Sequence, residues 1–140
     1  MRLSIFLKSI LFSILFLIAD YQSVAQSPES MNYQAVIRDG SGNVVGSQPV
    51  SLRIKILQGS VSGSSVYIET FTPTTNAYGS IAIKIGTGTV ITGTFNTIDW
   101  GASSYFVETA VDISGGTNYT VISTTQFVSV PYALYAKMLD

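Results

Sequence analysis

The sequence predicts an all-β fold, an antiparallel two-sheet β-sandwich of immunoglobulin or fibronectin type III character with about seven strands and a short C-terminal helix. Three observations predict it. β-Branched and aromatic residues dominate the segments between turns rich in Gly, Asn and Ser, which is typical of pleated strands. Apolar residues recur at every second position. No run between strands could hold a crossover helix, which disfavours parallel α/β folds and leaves a small barrel as the second choice.

Residues 1–25 predict a secretory signal peptide, so residues 26–140 are predicted to form one exported domain. A basic start with Arg2 and Lys8 precedes an apolar run at residues 10–19, and a small residue stands at the −3 and −1 positions of a cut after Ala25. This run is shorter than the about 20 residues that span a bilayer. We therefore expect a secreted or cell-surface protein of a diderm bacterium, with no membrane span in the mature chain.

In the first part of the predicted domain, turn signals separate extended segments at hairpin-like spacing. Residues 31–38 form an extended stretch before the turn at 39–43. The clearest strand is 50–57, where apolar residues occupy every second position up to Ile56 and only Leu57 is out of step.

Further strands are predicted on both sides of two more turns. A turn at residues 59–63 precedes a strand at 66–71, and a turn at 73–79 precedes the alternating Ile81, Ile83 and Ile85. Each of these segments is short enough to be an antiparallel strand rather than a helix.

The last strands form a predicted hairpin. In residues 105–113, every second position from Tyr105 through Val107 and Thr109 lies on one face of the predicted strand. The positions between them, starting with Phe106 and Glu108, lie on the other face. The turn at 114–118 then joins this strand to the segment 119–130. Pro131 opens a stretch of good helix formers, and Tyr132, Tyr135 and Leu139 lie on one side of the predicted helix.

Composition excludes several classes of function. The 140-residue chain contains no Cys and no His, which removes disulfides, thiol or imidazole metal ligands, and nucleophiles that need a thiol or a His base. A net charge of −1 with 11% charged residues gives no basic surface for nucleic acid or an anionic membrane. We expect a protein that is not an enzyme, with no cofactor, no metal and no nucleic-acid partner.

Three motifs resemble functional sites but are interpreted as structural. Residues 39–43 (DGSGN) resemble the opening of a calcium loop, yet Val50 stands where that loop needs a bidentate Glu. Residues 86–94 have the glycine spacing of phosphate-binding loops, but Thr94 replaces the required Lys, so they are interpreted as strand-end turns. Glu69 and Glu108 could meet across a sheet as the pair of carboxylates that glycoside hydrolysis requires. Strand carboxylates near Arg or Lys are, however, more often solvated ion-pair partners.

Trp100 has two interpretations. With neighbouring Tyr and Phe side chains it could form an exposed platform on which a sugar stacks. The alternative, which we favour, is a plug that closes one end of the sandwich.

Several segments together resemble a family of uncharacterised secreted bacterial β-domains. They are MNYQAVIRD (residues 31–39), GNV (42–44), IDW (98–100), GGTNY (115–119) and SVPYALYAK (129–137), and in that family the last segment closes the domain. In larger relatives the domain is the N-terminal module of surface or fibre-like proteins, followed by collagen-like, low-complexity or tail-fibre-type regions. The resemblance supplies no catalytic or ligand residues. This chain departs from the larger relatives by stopping just after the closing segment.

Three hypotheses for function follow. The leading one is an exported non-enzymatic module with a structural or adhesive role in the bacterial cell envelope, whose partner is itself or another envelope protein. The first alternative is a carbohydrate-binding module that uses Trp100 and nearby Tyr residues on a polysaccharide. The second is a truncated fibre protein that assembles through Tyr132, Tyr135 and Leu139.

Overall fold

The computed structural model describes residues 30–128. The predicted signal peptide, its cleavage after Ala25, the C-terminal helix and its residues Tyr132, Tyr135 and Leu139 lie outside this range. None of the described residues forms a helix that is long and apolar enough to cross a membrane.

The described residues form an all-β fold, as predicted, and it contains seven strands. The strands are β1 (Met31–Val36), β2 (Ser51–Gln58), β3 (Ser64–Phe71), β4 (Ser80–Ile85), β5 (Thr89–Thr92), β6 (Tyr105–Asp112) and β7 (Thr120–Gln126). A 3-10 turn at Phe95–Thr97 precedes β6. The interpretation of residues 86–94 as turns is wrong for β5, because Thr89–Thr92 pair with β3.

The strands divide into two antiparallel sheets. Among residues 30–128, one has the order β5-β3-β2-β6-β7, and the other contains β1 and β4. The β2 strand is central in the large sheet, where Leu52, Ile54 and Ile56 are completely buried and Arg53 and Lys55 are half-buried. Leu57, which is out of step in the sequence, follows a register shift against β3 and is also buried.

A single core draws on both sheets. Ile81 and Ile85 of the small sheet belong to the same buried cluster as Ile54 and Val107 of the large sheet. Between the sheets, the Thr109 hydroxyl donates a hydrogen bond to the Tyr33 hydroxyl at 2.9 Å. The inner face of each sheet is therefore the side that carries this core, and the outer face is the opposite side.

Candidate functional site

Four aromatic residues form a largely buried cluster at one end of the core. Trp100 is 6% exposed and meets three rings edge-to-face, with centroid distances of 5.7 Å to Phe95, 5.1 Å to Tyr105 and 5.6 Å to Phe127. Such edge-to-face pairs each stabilise the fold by about 0.5–1.5 kcal/mol beyond the burial of their area. This position is that of a plug.

The interpretation of Trp100 as an exposed platform is corrected by this burial. Because Trp100 is almost completely buried and three aromatic rings pack against it, it offers no exposed surface on which a sugar could stack. Hydrogen bonds fix the cluster in this arrangement: the Tyr105 hydroxyl donates to the Asp99 carbonyl at 2.7 Å, and the Phe127 N–H donates to the Tyr105 carbonyl at 2.9 Å. Burial, followed by the charge of Asp99, raises the pKa of Tyr105.

Glu69 is the one completely buried acidic side chain in residues 30–128. Its carboxyl group accepts hydrogen bonds from the Gly86 N–H at 2.8 Å, the Gly88 N–H at 2.7 Å and the Tyr67 hydroxyl at 3.0 Å. Gly86 and Gly88 lie in the turn that carries the chain from β4 in the small sheet to β5 in the large one. Glu69 therefore fastens the crossing between the two sheets.

The buried position of Glu69 corrects the expectation that it is a solvated ion-pair partner. Burial, and then the hydrogen bond to Glu69, raise the pKa of Tyr67, so this phenol stays protonated as the donor. The sequence signal for this carboxylate-binding turn would have been the two glycines on either side of Thr87, because a glycine can bring its backbone N–H close to an acceptor. All three donors are structural, and this arrangement leaves Glu69 no exposed oxygen for chemistry.

Glu108 behaves as predicted, since it forms an ion pair with Lys55 at 3.1 Å. The two carboxylates Glu69 and Glu108 do not meet. Glu69 lies opposite Ile54 and Glu108 lies opposite Lys55, and because consecutive positions on a strand point to opposite faces, Glu69 faces the core while Glu108 lies on the outer face. A paired-carboxylate site is not formed by these two residues.

The turn that resembles a calcium loop uses its acidic group internally. Asp39 accepts hydrogen bonds from the N–H groups of Ser41 and Asn43, both at 2.9 Å, and from the Asn43 side-chain amide at 3.2 Å. The bonds from Asn43 lower the pKa of Asp39 most. Within residues 30–128, no three acidic side chains come close enough together to hold a metal ion.

The two outer strands of the large sheet have open edges among the described strands. At one edge, β5 has only four residues and pairs with β3, while at the other edge β7 has seven residues and pairs with β6. Val121 on β7 and Val90 on β5 are 51% and 52% exposed. No charged residue occurs between positions 113 and 136, so the β7 edge lacks the charges and Pro residues that commonly protect an edge strand from pairing.

A bulge interrupts the pairing of β7 with β6. The register between β6 and β7 shifts after Thr109, which leaves Ile122 out of register and 41% exposed, while Ser123–Gln126 pair regularly. Sequence reasoning did not find this surface, because strand order is not encoded in local alternation.

Comparison with known protein families gives a match. The family described as a domain of unknown function (DUF8740) matches residues 32–126, a range that ends with the last residue of β7. None of the curated proteins and none of the solved structures matches the chain.

Proposed function

The chain belongs to the family described as a domain of unknown function (DUF8740), and we propose that it acts as an exported, non-enzymatic structural or adhesive module of the bacterial cell envelope. The edge of β7, which carries no charge and pairs with no further strand among residues 30–128, supports this proposal. On that basis the module works by contact between protein chains, and its partner is a second copy of itself.

The β7 edge is suited to pairing with another strand. An edge strand presents a row of backbone N–H and C=O groups that an added strand can satisfy. Thr and β-branched apolar residues fill five of the seven positions in β7, and such side chains pack well against a neighbouring strand. Val121 and Ile122 add apolar surface beside the edge.

Charge favours a second copy as the occupant. When two copies pair antiparallel about a twofold axis, each strand lies opposite itself, so any charge on the edge meets a like charge nearby. The β7 strand carries no charge, and this repulsion is therefore absent. The pairing would join two five-stranded sheets into one continuous sheet. The contact between two seven-residue strands is smaller than a standard interface, so we expect the dimer to be weak.

The finer description of the fold is part of the proposal. A two-sheet sandwich is supported by the shared core and by the hydrogen bond between Thr109 and Tyr33 across the sheets. The described strands divide into two and five, whereas an immunoglobulin constant-type domain divides into four and three. We therefore propose a sandwich with a short second sheet. Export is supported by the signal-peptide pattern of residues 1–25, and mass spectrometry of the exported protein should find Gln26 at its N-terminus.

Sedimentation velocity on the exported chain over a wide concentration range tests the proposal. We expect a concentration-dependent dimer, which Val121→Lys should abolish by placing like charges at the paired edge. Val90→Lys is the matched control, because it changes the same residue type at the same exposure on the opposite edge of the sheet. It should leave the dimer intact.

Two results would contradict this function. A chain that stays monomeric at every concentration would remove the second copy as partner. A trimer or larger assembly that survives Val121→Lys would instead favour assembly through Tyr132, Tyr135 and Leu139.

A further inference from the structure

The outer face of the small sheet has an unusual set of polar side chains. In the antiparallel register of β1 and β4, Asn32 lies opposite Lys84, Gln34 opposite Ala82, and Val36 opposite Ser80. Asn32, Gln34, Ala82 and Lys84 are exposed, while the alternate positions of both strands face the core. The face is therefore built from amides, a hydroxyl, small side chains and one cation.

Lys84 is the one cation in residues 30–128 whose charged group has no partner in the fold. Lys55 forms an ion pair with Glu108, the Arg53 guanidinium lies 4.8 Å from the centre of the Tyr119 ring, and Arg38 donates to the Gly42 carbonyl at 2.8 Å. The side-chain amides of Asn32 and Gln34 likewise make no hydrogen bond to other described residues. Three exposed polar groups that have no partner among residues 30–128 thus share one sheet face.

The face has a shallow, open cleft on each side of a small residue. Two clefts, of about 520 and 390 Å³, meet at Ala82. Gln34, Asn76 and Ser80 contribute to the first cleft, and Asn32 and Lys84 contribute to the second. Tyr78, which is 78% exposed, lies in the turn between Asn76 and Ser80, so an aromatic side chain belongs to the loop that borders the first cleft.

We propose that this face binds an acidic saccharide, with a uronate carboxylate on Lys84 and ring hydroxyls on Asn32 and Gln34. A side-chain amide both donates and accepts hydrogen bonds, which matches the dual character of a sugar hydroxyl. An ammonium group matches a carboxylate through a charge-assisted hydrogen bond. Directly opposite residues on paired strands have Cβ atoms about 5 Å apart, so Lys84 and Asn32 can reach the carboxylate and a neighbouring hydroxyl of one sugar unit.

The charge pattern selects this ligand class. A single cation with neutral neighbours suits isolated carboxylates spaced along a polyhydroxylated chain, whereas nucleic acid requires a cluster of basic side chains. The site lies on the small sheet and the proposed dimer edge lies on β7 of the large sheet. The saccharide site is therefore independent of the proposed assembly, and either can fail without the other.

Titration of the ¹⁵N-labelled exported chain with tetragalacturonate, followed by NMR, tests the proposal. Maltotetraose is the neutral probe. We expect tetragalacturonate to shift amide signals on β1 and β4 and to leave those of β7 unchanged. Maltotetraose should bind at least about tenfold more weakly, because it lacks the carboxylate that pairs with Lys84.

Three variants separate the ligand contacts from general effects. Lys84→Met should weaken tetragalacturonate binding by about tenfold or more, and Lys84→Arg should restore most of the affinity. Gln34→Ala should weaken the binding of both saccharides. Asn118→Ala removes an exposed amide from the turn between β6 and β7, outside β1, β4 and the β7 edge, and should have no effect.

The proposal is overturned if tetragalacturonate causes no shifts on β1 and β4, if both saccharides bind equally, or if Lys84→Met binds like the original chain. All substituted positions are exposed, so each variant should keep its fold. The fluorescence of Trp100 in the buried aromatic cluster checks this. Sedimentation of the same variants should be unchanged, which distinguishes failure of this site from failure of the β7 assembly.

Discussion

The carboxyl group of Glu69 should be a major determinant of stability, and Glu69→Gln is the change that tests it. One oxygen accepts from the Gly86 N–H, and the other accepts from both the Gly88 N–H and the Tyr67 hydroxyl. A glutamine has nearly the same shape but only one accepting oxygen. In either orientation of the glutamine amide, its NH₂ group faces a donor: the Gly86 N–H in one orientation, and the Gly88 N–H with the Tyr67 hydroxyl in the other.

The expected loss follows from the number of bonds removed. If the Gln oxygen takes the place that serves two donors, the Gly86 N–H faces an NH₂ group and loses its acceptor. A buried donor left without a partner costs about 1–3 kcal/mol, and the two opposed N–H groups add to this. We therefore expect Glu69→Gln to lower the free energy of unfolding by about 2–4 kcal/mol. Tyr67→Phe removes one bond and should cost about 1–2 kcal/mol.

Urea denaturation followed by the fluorescence of Trp100 measures both losses, since the chain contains one Trp. The dependence of stability on urea concentration should not change, because the folded state stays equally compact. The double variant should lose less than the sum of the two single changes, because both act on the same carboxyl group. A loss below about 0.5 kcal/mol for Glu69→Gln, the size of an ordinary surface change, would refute the assigned role of Glu69.

Three further predictions concern the same fold. In Gly88→Ala, the added Cβ would lie 2.7 Å from the Phe71 ring, so urea denaturation should show that the free energy of unfolding falls by about 1–3 kcal/mol. Gly40→Ala is the control, because a Cβ at that position meets nothing within 4 Å. Trp100→Ala should cost about 3–5 kcal/mol by opening a cavity in the aromatic cluster; urea unfolding of this Trp-free variant is followed by circular dichroism, and a smaller loss would argue against a plug. Hydrogen bonds from Ser114 and then Asn118 lower the pKa of Asp112. The ionised carboxylate therefore stabilises the fold at any pH above the ordinary Asp pKa of about 3.9. This stabilisation is lost as the pH falls through the lower pKa of the folded state. Asp112→Asn should therefore destabilise the chain at neutral pH, and in thermal melts the difference from the original chain should shrink in acid; a difference that does not depend on pH would contradict this.

The strands that local alternation predicted are those with one buried face and one face that is more exposed to solvent. The pattern around Ile54 and around Ile81 and Ile85 predicted β2 and β4, because burial of one face imposes a period of two. The short β5 was missed. It has four residues, all exposed, so no buried face marks it in the sequence, and its pairing with β3 comes from tertiary contact.

The site residues divide in the same way. A core position for Trp100 was the favoured interpretation and agrees with its burial. The burial of Glu69 was missed, although Glu69 shares a strand face with Tyr67, because a carboxyl group inside the core depends on backbone donors from a distant turn. The open edge of β7 depends on strand order, which local sequence patterns do not contain.

Amide hydrogen exchange at several protein concentrations tests assembly through β7 most directly. If two copies pair at this edge, the amides of β7 should exchange more slowly as the concentration rises, because N–H groups at the edge gain acceptors in the second copy. The amides of β5 should show no such change. Val121→Lys should remove the concentration dependence, and Val90→Lys should keep it. Exchange in β7 that is independent of concentration would contradict the proposed assembly.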